Sequence, residues 1–249
     1  MMYDYHLHTE YSFDSMIKGK ELMEKAIRLG YKEIAITEHL DLLPFEAKNN
    51  GIPALKKYWN YCKNLQKEHP QITLHCGLEI GDYHRTKDYA LELIEGFDFF
   101  PIMGSVHILE DNTNVAILLN KQLSKEHTIE YYKQNLDLVT NCDINILGHL
   151  GVYKRYYSER IDESFVYPII KDIFEVMIER NIYLEVNLSS LYKPYQMIIP
   201  EPEMLQMFKE MGGTLISIGS DTHRLDKFED NTSILQRFKL PSEPLKRFR

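Results

Sequence analysis

Histidines and carboxylates recur in this sequence at spacings that suit metal binding. His6 and His8 are two residues apart, and so are Asp221 and His223. In an extended chain, residues two apart point to the same side, so each pair can hold one shared site. Further candidates stand between the two pairs, namely Asp14, His39, Glu79, His107 and His149. Imidazole and carboxylate without thiolate favour Zn²⁺, Fe²⁺ or Mn²⁺ and would make a poor Ca²⁺ cage.

Several divalent cations held close together could catalyse hydrolysis. Neighbouring cations lower the pKa of a shared water, supply hydroxide at neutral pH and neutralise charge on the attacking and leaving oxygens. Phosphate monoesters need this help, because an enzyme has to supply on the order of 20 kcal/mol of transition-state stabilisation. The residues therefore favour a metal-dependent phosphoesterase in which a hydroxide bridging the ions attacks phosphorus.

A basic and aromatic segment follows His149 and supplies local positive charge. Arg155 and Arg160 are our candidates for phosphate contacts, with Lys154 behind them, because a guanidinium can hold phosphate through two parallel hydrogen bonds. The alternative is that these cations are solvated surface charges. Further along, Glu185 and Asn187, with Ser189 just beyond, either receive a substrate amine or pack in the core.

Short β-rich runs alternate with amphipathic segments along the whole chain. The predicted strands are Tyr3–His6, Glu33–Thr37, Ile72–Leu78, Phe97–Met103, Ile144–Leu147, Tyr183–Asn187 and Leu215–Ile218. The predicted helices are Gly19–Leu29, Ala54–Glu68, Thr86–Glu95, Lys125–Thr140, Glu163–Arg180 and Glu201–Met211. This alternation predicts parallel strands, and seven such units favour a distorted (β/α)₇ barrel over a doubly wound sheet.

The metal-capable side chains fall at the ends of the predicted strands. Because the carboxyl ends of parallel barrel strands open onto one face, these side chains should converge in space. Strand six is the one predicted strand without such a residue. A lone histidine is more often structural than a ligand, but the matching placement of the whole set favours a metal site. By contrast, we interpret four histidines without partner spacing as structural or exposed: His69, His75, His84 and His127.

Composition narrows the class of protein. The 249 residues are 44% hydrophobic and 27% charged, which is typical of a folded domain, and no composition shift marks a boundary, so we expect one domain over residues 1–249. The net charge of -8 argues against a nucleic-acid partner. No apolar run or leader pattern indicates a membrane partner or export, and three scattered cysteines fit a reducing cytoplasm. The basic tail from residue 239 to 249 is expected to be exposed.

Taken together, the motifs resemble one known group of enzymes over nearly the whole chain. They are Asp4-Tyr-His-Leu-His-Thr, Ile36-Thr-Glu-His, Gly77-Leu-Glu, Gly104-Ser-Val-His, Gly148-His and Gly219-Ser-Asp-Thr-His. The chain resembles the polymerase and histidinol phosphatase (PHP) superfamily, and within it the monofunctional phosphatases. Any one motif would be a weak indication, whereas the set is specific.

The resemblance implies a (β/α)₇ barrel with three divalent metal ions, which we expect to be zinc, iron or manganese. It places His6, His8, Glu79 and Asp221 around one ion, Asp14, His39 and His223 around a second, and Glu79, His107 and His149 around a third. Glu79 would bridge two ions, and Glu79, Asp221 and His223 are the expected catalytic residues. For Asp14 the alternative is a turn or helix-cap acid.

The same resemblance implies a substrate. The expected reaction is hydrolysis of L-histidinol phosphate to L-histidinol and inorganic phosphate in L-histidine biosynthesis. A phosphoesterase for nucleotides or other small phosphate monoesters remains an alternative. A third possibility is a metal-binding protein that has no catalytic activity, which the complete ligand set disfavours.

Overall fold

A computed structural model describes residues 2–248 and contains seven parallel strands in one sheet. The strands are β1 (Met2–Leu7), β2 (Tyr31–Asp41), β3 (Thr73–Gly81), β4 (Ile102–Ser105), β5 (Ile146–Leu147), β6 (Tyr183–Asn187) and β7 (Ile216–Gly219). They pair in sequence order. The end of β1 meets the segment after β7, because Asp221 N donates to His6 O at 2.9 Å and His8 N donates to Thr222 O at 3.1 Å. The predicted distorted (β/α)₇ barrel is confirmed.

Helices surround the barrel and connect its strands. They are α1 (Gly19–Leu29), α2 (Pro44–Asn50), α3 (Leu55–Glu68), α4 (Tyr83–Ile94), α5 (Lys125–Asn141), α6 (Tyr167–Arg180), α7 (Pro202–Glu210) and α8 (Thr232–Arg237). Helix α1 ends at Gly30, whose φ of 85° lies in the left-handed region that glycine adopts without strain. Helix α5 begins after Ser124, whose hydroxyl accepts the amide hydrogen of His127 at 3.2 Å. Among the described helices, none has the length and apolar composition that a bilayer span requires.

The structure adds two helices that the sequence did not predict and shifts the bounds of several other elements, including β4. Helices α2 and α8 were not predicted, because each buries a single side chain, Glu46 and Leu235 respectively, and so shows no apolar periodicity. Strand β4 begins at Ile102 and not at Phe97. The aromatic run before it packs on Trp59, with ring centroids 6.2 Å and 5.1 Å from Phe97 and Phe99. That run is apolar because it packs against a helix, not because it forms a strand.

The side chains of β3 alternate between the two layers of the molecule. Leu78 and Ile80 are fully buried in the core between barrel and helices, whereas Glu79 faces the barrel interior. Gly81 also faces inward, and a Cβ there would lie 2.3 Å from the Asp41 carboxylate and 2.9 Å from the His107 ring. Glycine is therefore required for the Asp41 and His107 side chains to approach each other above β3.

An irregularity in β1 brings its histidines to the site. Tyr3 and Tyr5 belong to a small cluster that fills the amino-terminal end of the barrel. The pairing register with β2 shifts between Asp4 and Leu7, and Leu7 packs in the outer core. The shift lets His6 and His8 face inward although Tyr5 also does, which strict alternation would forbid.

The carboxyl-terminal segment closes the opposite end of the barrel from the histidines. Leu245 packs against the tyrosine cluster, and its amide donates to the Tyr5 hydroxyl at 3.0 Å. The Lys246 amide donates to the Tyr183 hydroxyl at 2.9 Å. The expectation of an exposed tail is therefore wrong for two residues: Leu240 is buried in the main core, and Leu245 packs against the cluster inside the barrel. Met1 and Arg249 lie outside the described residues.

Candidate metal centre

The predicted ligands converge at the carboxyl ends of the strands, around a cavity of about 620 Å³. Seven of them line the cavity: Asp14, His39, Glu79, His107, His149, Asp221 and His223. His6 and His8 lie beneath the others and are fully buried. The structure thus brings together side chains that are separated by more than two hundred positions in the sequence.

Glu79 stands at the centre of the cluster, and one of its oxygens faces three imidazoles. Its Oε2 lies 3.1 Å from His6 Nε2, 3.2 Å from His39 Nδ1 and 3.5 Å from His8 Nε2. These rings come from β2, from β1 and from the residue that follows β1, all on one side of β3.

The second oxygen of Glu79 faces two more imidazoles from the other side of the barrel. Its Oε1 lies 2.9 Å from His149 Nε2 and 3.4 Å from His107 Nε2. The Ser105 hydroxyl donates to the same oxygen at 2.7 Å. One fully buried carboxylate therefore lies between two groups of ring nitrogens, which is the arrangement that a bridging ligand requires.

His8, His39 and His223 form a stack at the edge of the cavity. The His8 ring centroid is 4.3 Å from that of His39 and 4.1 Å from that of His223. The Nε2 atoms of His39 and His223 are 3.3 Å apart, and the Asp14 carboxylate lies 3.6 Å from the first and 3.2 Å from the second. Asp14 is thus a member of the cluster and not an isolated turn acid.

Asp221 approaches three of the same rings. Its Oδ1 lies 3.6 Å from His6 Nε2, 3.7 Å from His8 Nε2 and 3.5 Å from His223 Nδ1. The residue has a φ of 51°, a left-handed conformation that aspartate tolerates better than most residues. This turn directs the carboxylate back over the barrel mouth.

The other oxygen of Asp221 is held by hydrogen-bond donors. Arg155 Nη1 lies 3.2 Å from Oδ2, the Ser189 hydroxyl 3.3 Å and the Asn187 amide nitrogen 3.4 Å. Buried histidines and Arg155 keep the pKa of Asp221 well below its usual range although burial alone would raise it. Asp221 is therefore a carboxylate over the working pH range.

Neighbouring charges and burial shift the pKa values of the cluster in different directions. Burial lowers the pKa of His8 well below its usual value, and the neighbouring His223 and His39 rings lower it further. Burial also lowers the pKa of His6, but the carboxylates of Glu185, Glu79 and Asp221 outweigh it and raise the pKa well above its usual value. The Glu79 pKa is depressed because His6 and His39 outweigh the burial.

The donor set fits divalent cations. Each of four overlapping groups of ligand atoms lies within 4.8 Å: His6, His8 and Glu79; His6, His149 and Asp221; His8, His39 and His223; and Glu79, His107 and His149. His8 Nε2 and His39 Nδ1 are buried and have no hydrogen-bond partner among the described residues. Buried polar atoms are seldom left unpaired, and these two point at other lone pairs. A shared cation would satisfy both nitrogens.

Strand β6 contributes Glu185, whose role in orienting a ligand ring the sequence did not predict. Glu185 is fully buried, and its Oε1 lies 2.6 Å from His6 Nδ1, so it orients that ring and is not free to receive a substrate amine. Its other oxygen accepts the His149 amide hydrogen. A Cβ at Gly219 on β7 would lie 2.0 Å from the Glu185 carboxylate. The alternation of Glu185 and Asn187 along β6, next to a glycine on the neighbouring strand, is the signal that could have indicated this role.

A second carboxylate orients the ring of His8 through a hydroxyl. Glu38 on β2 is fully buried, accepts the Thr9 amide hydrogen at 3.1 Å and accepts a hydrogen bond from the Ser12 hydroxyl. Ser12 Oγ in turn lies 3.1 Å from His8 Nδ1. Such hydrogen bonds to the far nitrogen fix the orientation of a ligand ring and raise its basicity.

Of the three predicted phosphate-binding cations, Arg155 lines the cavity. Its Nη1 reaches both Asp221 Oδ2 and, at 3.3 Å, Ser189 Oγ. Its Nε is buried without a hydrogen-bond partner among the described residues. Arg155 therefore offers a donor toward an anion in the cavity.

Lys154 and Arg160 lie elsewhere, contrary to the expected phosphate contacts. The Lys154 ammonium is buried and lies 2.7 Å from Glu163 and 2.6 Å from Glu201. Arg160 is exposed, pairs with Glu203 at 2.6 Å and reaches Glu201 at 3.5 Å. Residues Val152–Tyr156 form a 3₁₀ helix, so neighbouring side chains point in different directions and Arg155 alone of the three faces the cavity.

The four histidines that were set aside lie outside the cluster. His69 hydrogen-bonds the Leu65 carbonyl at 3.0 Å, and His75 lies 2.8 Å from Glu33. His127 lies 3.3 Å from the exposed Asp111. His84 is half-buried, and burial lowers its pKa to about 4, so its ring is neutral at physiological pH.

A closed (β/α)₇ barrel with histidines and carboxylates gathered at its carboxyl-terminal mouth is the architecture of a metal-dependent hydrolase. The PHP domain family matches residues 4–189, and the chain belongs to that family. The resemblance noted from the motifs is thereby confirmed.

One curated relative and two solved structures extend this comparison. The histidinol-phosphatase of Lactococcus lactis is 29% identical over 229 residues, covering 88% of this chain and 83% of that protein. The crystal structure of the histidinol phosphate phosphatase of that organism, in complex with zinc, L-histidinol and phosphate, has a TM-score of 0.82 at 28% identity. The match covers 96% of this chain and 92% of the other. A Listeria monocytogenes structure shares the fold, with a TM-score of 0.81, 20% identity and coverage of 93% and 99%.

Proposed function

We propose that this protein hydrolyses L-histidinol phosphate to L-histidinol and inorganic phosphate, as a step of L-histidine biosynthesis. The observation that carries the proposal is the Glu79 carboxylate, which lies within 3.5 Å of five imidazoles beside the cation-lined wall of the cavity. The Lactococcus relative, which is crystallised with zinc, L-histidinol and phosphate, supports the choice of substrate.

We assign three divalent cations to the cluster, with zinc, iron and manganese as the candidate elements. His6, His8, Glu79 and Asp221 would hold one ion, Asp14, His39 and His223 a second, and Glu79, His107 and His149 a third. The overlap of His8 with both of the first two groups supports close neighbouring sites. Glu79 is the shared ligand because its two oxygens face different sets of rings.

Arg155, Asp221 and His223 have separate roles beside the cations. Bound divalent cations supply a nucleophilic water at neutral pH and neutralise charge on the phosphate oxygens. Arg155, whose side chain lines the cavity, would bind a non-bridging phosphate oxygen and orient the ester. Asp221 and His223 stand at the same wall of the cavity, where the ionised Asp221 can accept a proton from the attacking water and His223 can deliver one to the departing alkoxide oxygen.

Two wider assignments go with this function. We propose that residues 1–249 make up one domain, because all seven strands of the described residues belong to one sheet. We further propose that the enzyme works in the cytoplasm, where a reducing environment suits its three free cysteines.

A substrate panel tests the function. Purified protein loaded with zinc or manganese should release phosphate from L-histidinol phosphate with a much higher kcat/KM than from nucleoside monophosphates. Glu79→Gln removes the bridging charge and should lower kcat by about a thousandfold or more, with loss of bound metal. Glu92→Gln removes one exposed carboxylate on α4 and serves as the matched control.

The outcomes separate the alternatives. Efficient hydrolysis of nucleoside monophosphates with no release from histidinol phosphate would place the protein among other PHP phosphoesterases. Stable metal binding without any phosphate release would indicate a non-catalytic metal-binding protein.

A further inference from the structure

The wall of the cavity is divided by charge. Arg155, Lys193 and Lys227 line it on the side that follows β5, β6 and β7. Asp14 and Glu46 line it on the side that follows β1 and β2. A molecule with an anionic and a cationic end would therefore be oriented by this field before it makes a specific contact.

Of the three acids that line the β1 and β2 side of the cavity, two face rings of the metal centre. Asp14 pairs with His39 and His223. Asp41 lies 3.7 Å from His107 Nδ1 and 4.0 Å from His39 Nδ1. Both carboxylates thus face rings of the metal centre.

Glu46 is the exception. It lies on α2, the short helix that follows β2, and its side chain lines the cavity although the residue is 5% exposed. Its Oε2 is buried and has no hydrogen-bond partner among the described residues. Burial, together with the nearby Asp41 carboxylate, raises the pKa of Glu46 to about 7, and His107 and His39 offset only part of this effect. A buried acid of this kind needs a partner, and the cavity is where a partner can enter.

The charges at the two ends of the proposed substrate are complementary to the two sides of the cavity wall. L-Histidinol phosphate carries a phosphate at one end and an amine and an imidazole at the other. With the phosphate held at the ions and Arg155, the nitrogen-bearing end needs an anionic acceptor away from the cations at the β5–β7 side. Glu185, which could have served from sequence, is closed off by His6.

We propose that Glu46 determines substrate specificity by accepting a hydrogen bond from the cationic, nitrogen-bearing end of the substrate. The inference rests on the proposed function and adds a residue that selects phosphate esters of amino alcohols over esters without nitrogen. Glu46 touches the part of the substrate that does not react, so its contribution is to binding and orientation.

The test compares two substrates in metal-loaded protein. L-Histidinol phosphate carries both nitrogen groups, whereas phenylpropyl phosphate has the same chain length and carries neither. The ratio of their kcat/KM values should fall by about tenfold or more in Glu46→Gln, because a hydrogen bond to a charged group is lost, and the change should lie mainly in KM for histidinol phosphate. Glu92→Gln should leave the ratio unchanged, since its carboxylate is exposed on α4.

Binding gives a second readout that does not depend on turnover. In calorimetry, Glu46→Gln should bind L-histidinol about tenfold more weakly while binding inorganic phosphate as the unsubstituted protein does. Glu46→Asp keeps the charge with a side chain one methylene shorter and should recover part of the affinity. Thermal unfolding of each variant establishes that the comparison is between folded proteins.

The contradicting results are distinct. If folded Glu46→Gln keeps the full substrate ratio and the full affinity for L-histidinol, the role of Glu46 is refuted and the proposed function stands. If the unsubstituted protein shows no preference for histidinol phosphate over phenylpropyl phosphate, the proposed function is refuted, and the role of Glu46 with it.

Discussion

At the scale of single residues, the site depends on how each side chain is paired. The five imidazoles around Glu79 would be repelled from one another if all were charged, and the unpaired nitrogens of His8 and His39 would be costly if nothing bound them. Bound divalent cations would pair with the ring nitrogens and allow the imidazoles to remain neutral. The same reasoning distinguishes Arg155, which keeps an unpaired donor beside the cavity, from Lys154 and Arg160, whose charges are already matched by carboxylates.

The contrast between the two arginines gives a direct prediction. Arg155→Lys keeps the charge but loses the planar fork of donors, so kcat/KM for histidinol phosphate should fall by about tenfold to a hundredfold. Arg160→Lys should change it by less than about twofold, because Arg160 pairs with Glu203 on the surface. Steady-state kinetics of both variants provide the measurement. Equal losses in the two variants would contradict the placement of Arg160 away from the phosphate.

Glu185 gives a prediction about positioning. Glu185→Gln removes the negative charge that faces His6 Nδ1 but keeps the shape, so the affinity for metal should fall by about tenfold to a hundredfold. Competition with a chromogenic chelator measures the change, and kcat with saturating metal should recover most of its value. Glu175→Gln, on the exposed face of α6, is the control. Unchanged metal affinity in Glu185→Gln would show that the His6 ring does not need this partner.

At the scale of elements, the loops after the strands decide what the site contains. The 3₁₀ helix Val152–Tyr156 presents Arg155 to the cavity while the Lys154 ammonium anchors the other side of the loop between Glu163 and Glu201. These two carboxylates raise the pKa of Lys154, as does the nearby Tyr132, although burial opposes them. This buried ion pair holds the loop in one conformation.

Breaking that anchor should be costly. Lys154→Met leaves two buried carboxylates without their cation and should lower the free energy of unfolding by about 3–5 kcal/mol. Arg160→Met removes an exposed partner of Glu201 and should cost about 1 kcal/mol or less. Chemical denaturation of the two variants under the same metal conditions measures the difference. Similar losses in both would mean that the loop does not depend on the buried pair.

The sequence alone predicted the metal ligands but not the roles of the residues around them, for a physical reason. The ligands stand at the ends of strands, and parallel pairing in a barrel brings those ends together whatever the loops do. The directions of Lys154 and Arg160 depend on the backbone of one irregular loop, which hydrophobic periodicity does not encode. Glu185 was underestimated because its role depends on the space left by Gly219 on the next strand. Glu46 went unnoticed because α2 has no apolar stripe.

At the scale of the whole molecule, the two ends of the barrel have different tasks. Tyrosines and the carboxyl-terminal segment fill and cover the amino-terminal end, which stabilises the barrel without taking part in chemistry. The carboxyl-terminal end holds the histidines, the carboxylates and Arg155. A shift of register in β1 allows one strand to serve both ends, since Tyr5 faces the packed end and His6 the site.

The most direct test of the central claim is a titration of metal-free protein with zinc or manganese, followed by phosphate release from L-histidinol phosphate. Activity should be absent without metal and should rise as ions fill the cluster, reaching its maximum at about three ions per chain. Full activity without metal would contradict it. Complete metal loading with no release of phosphate from histidinol phosphate would contradict it equally.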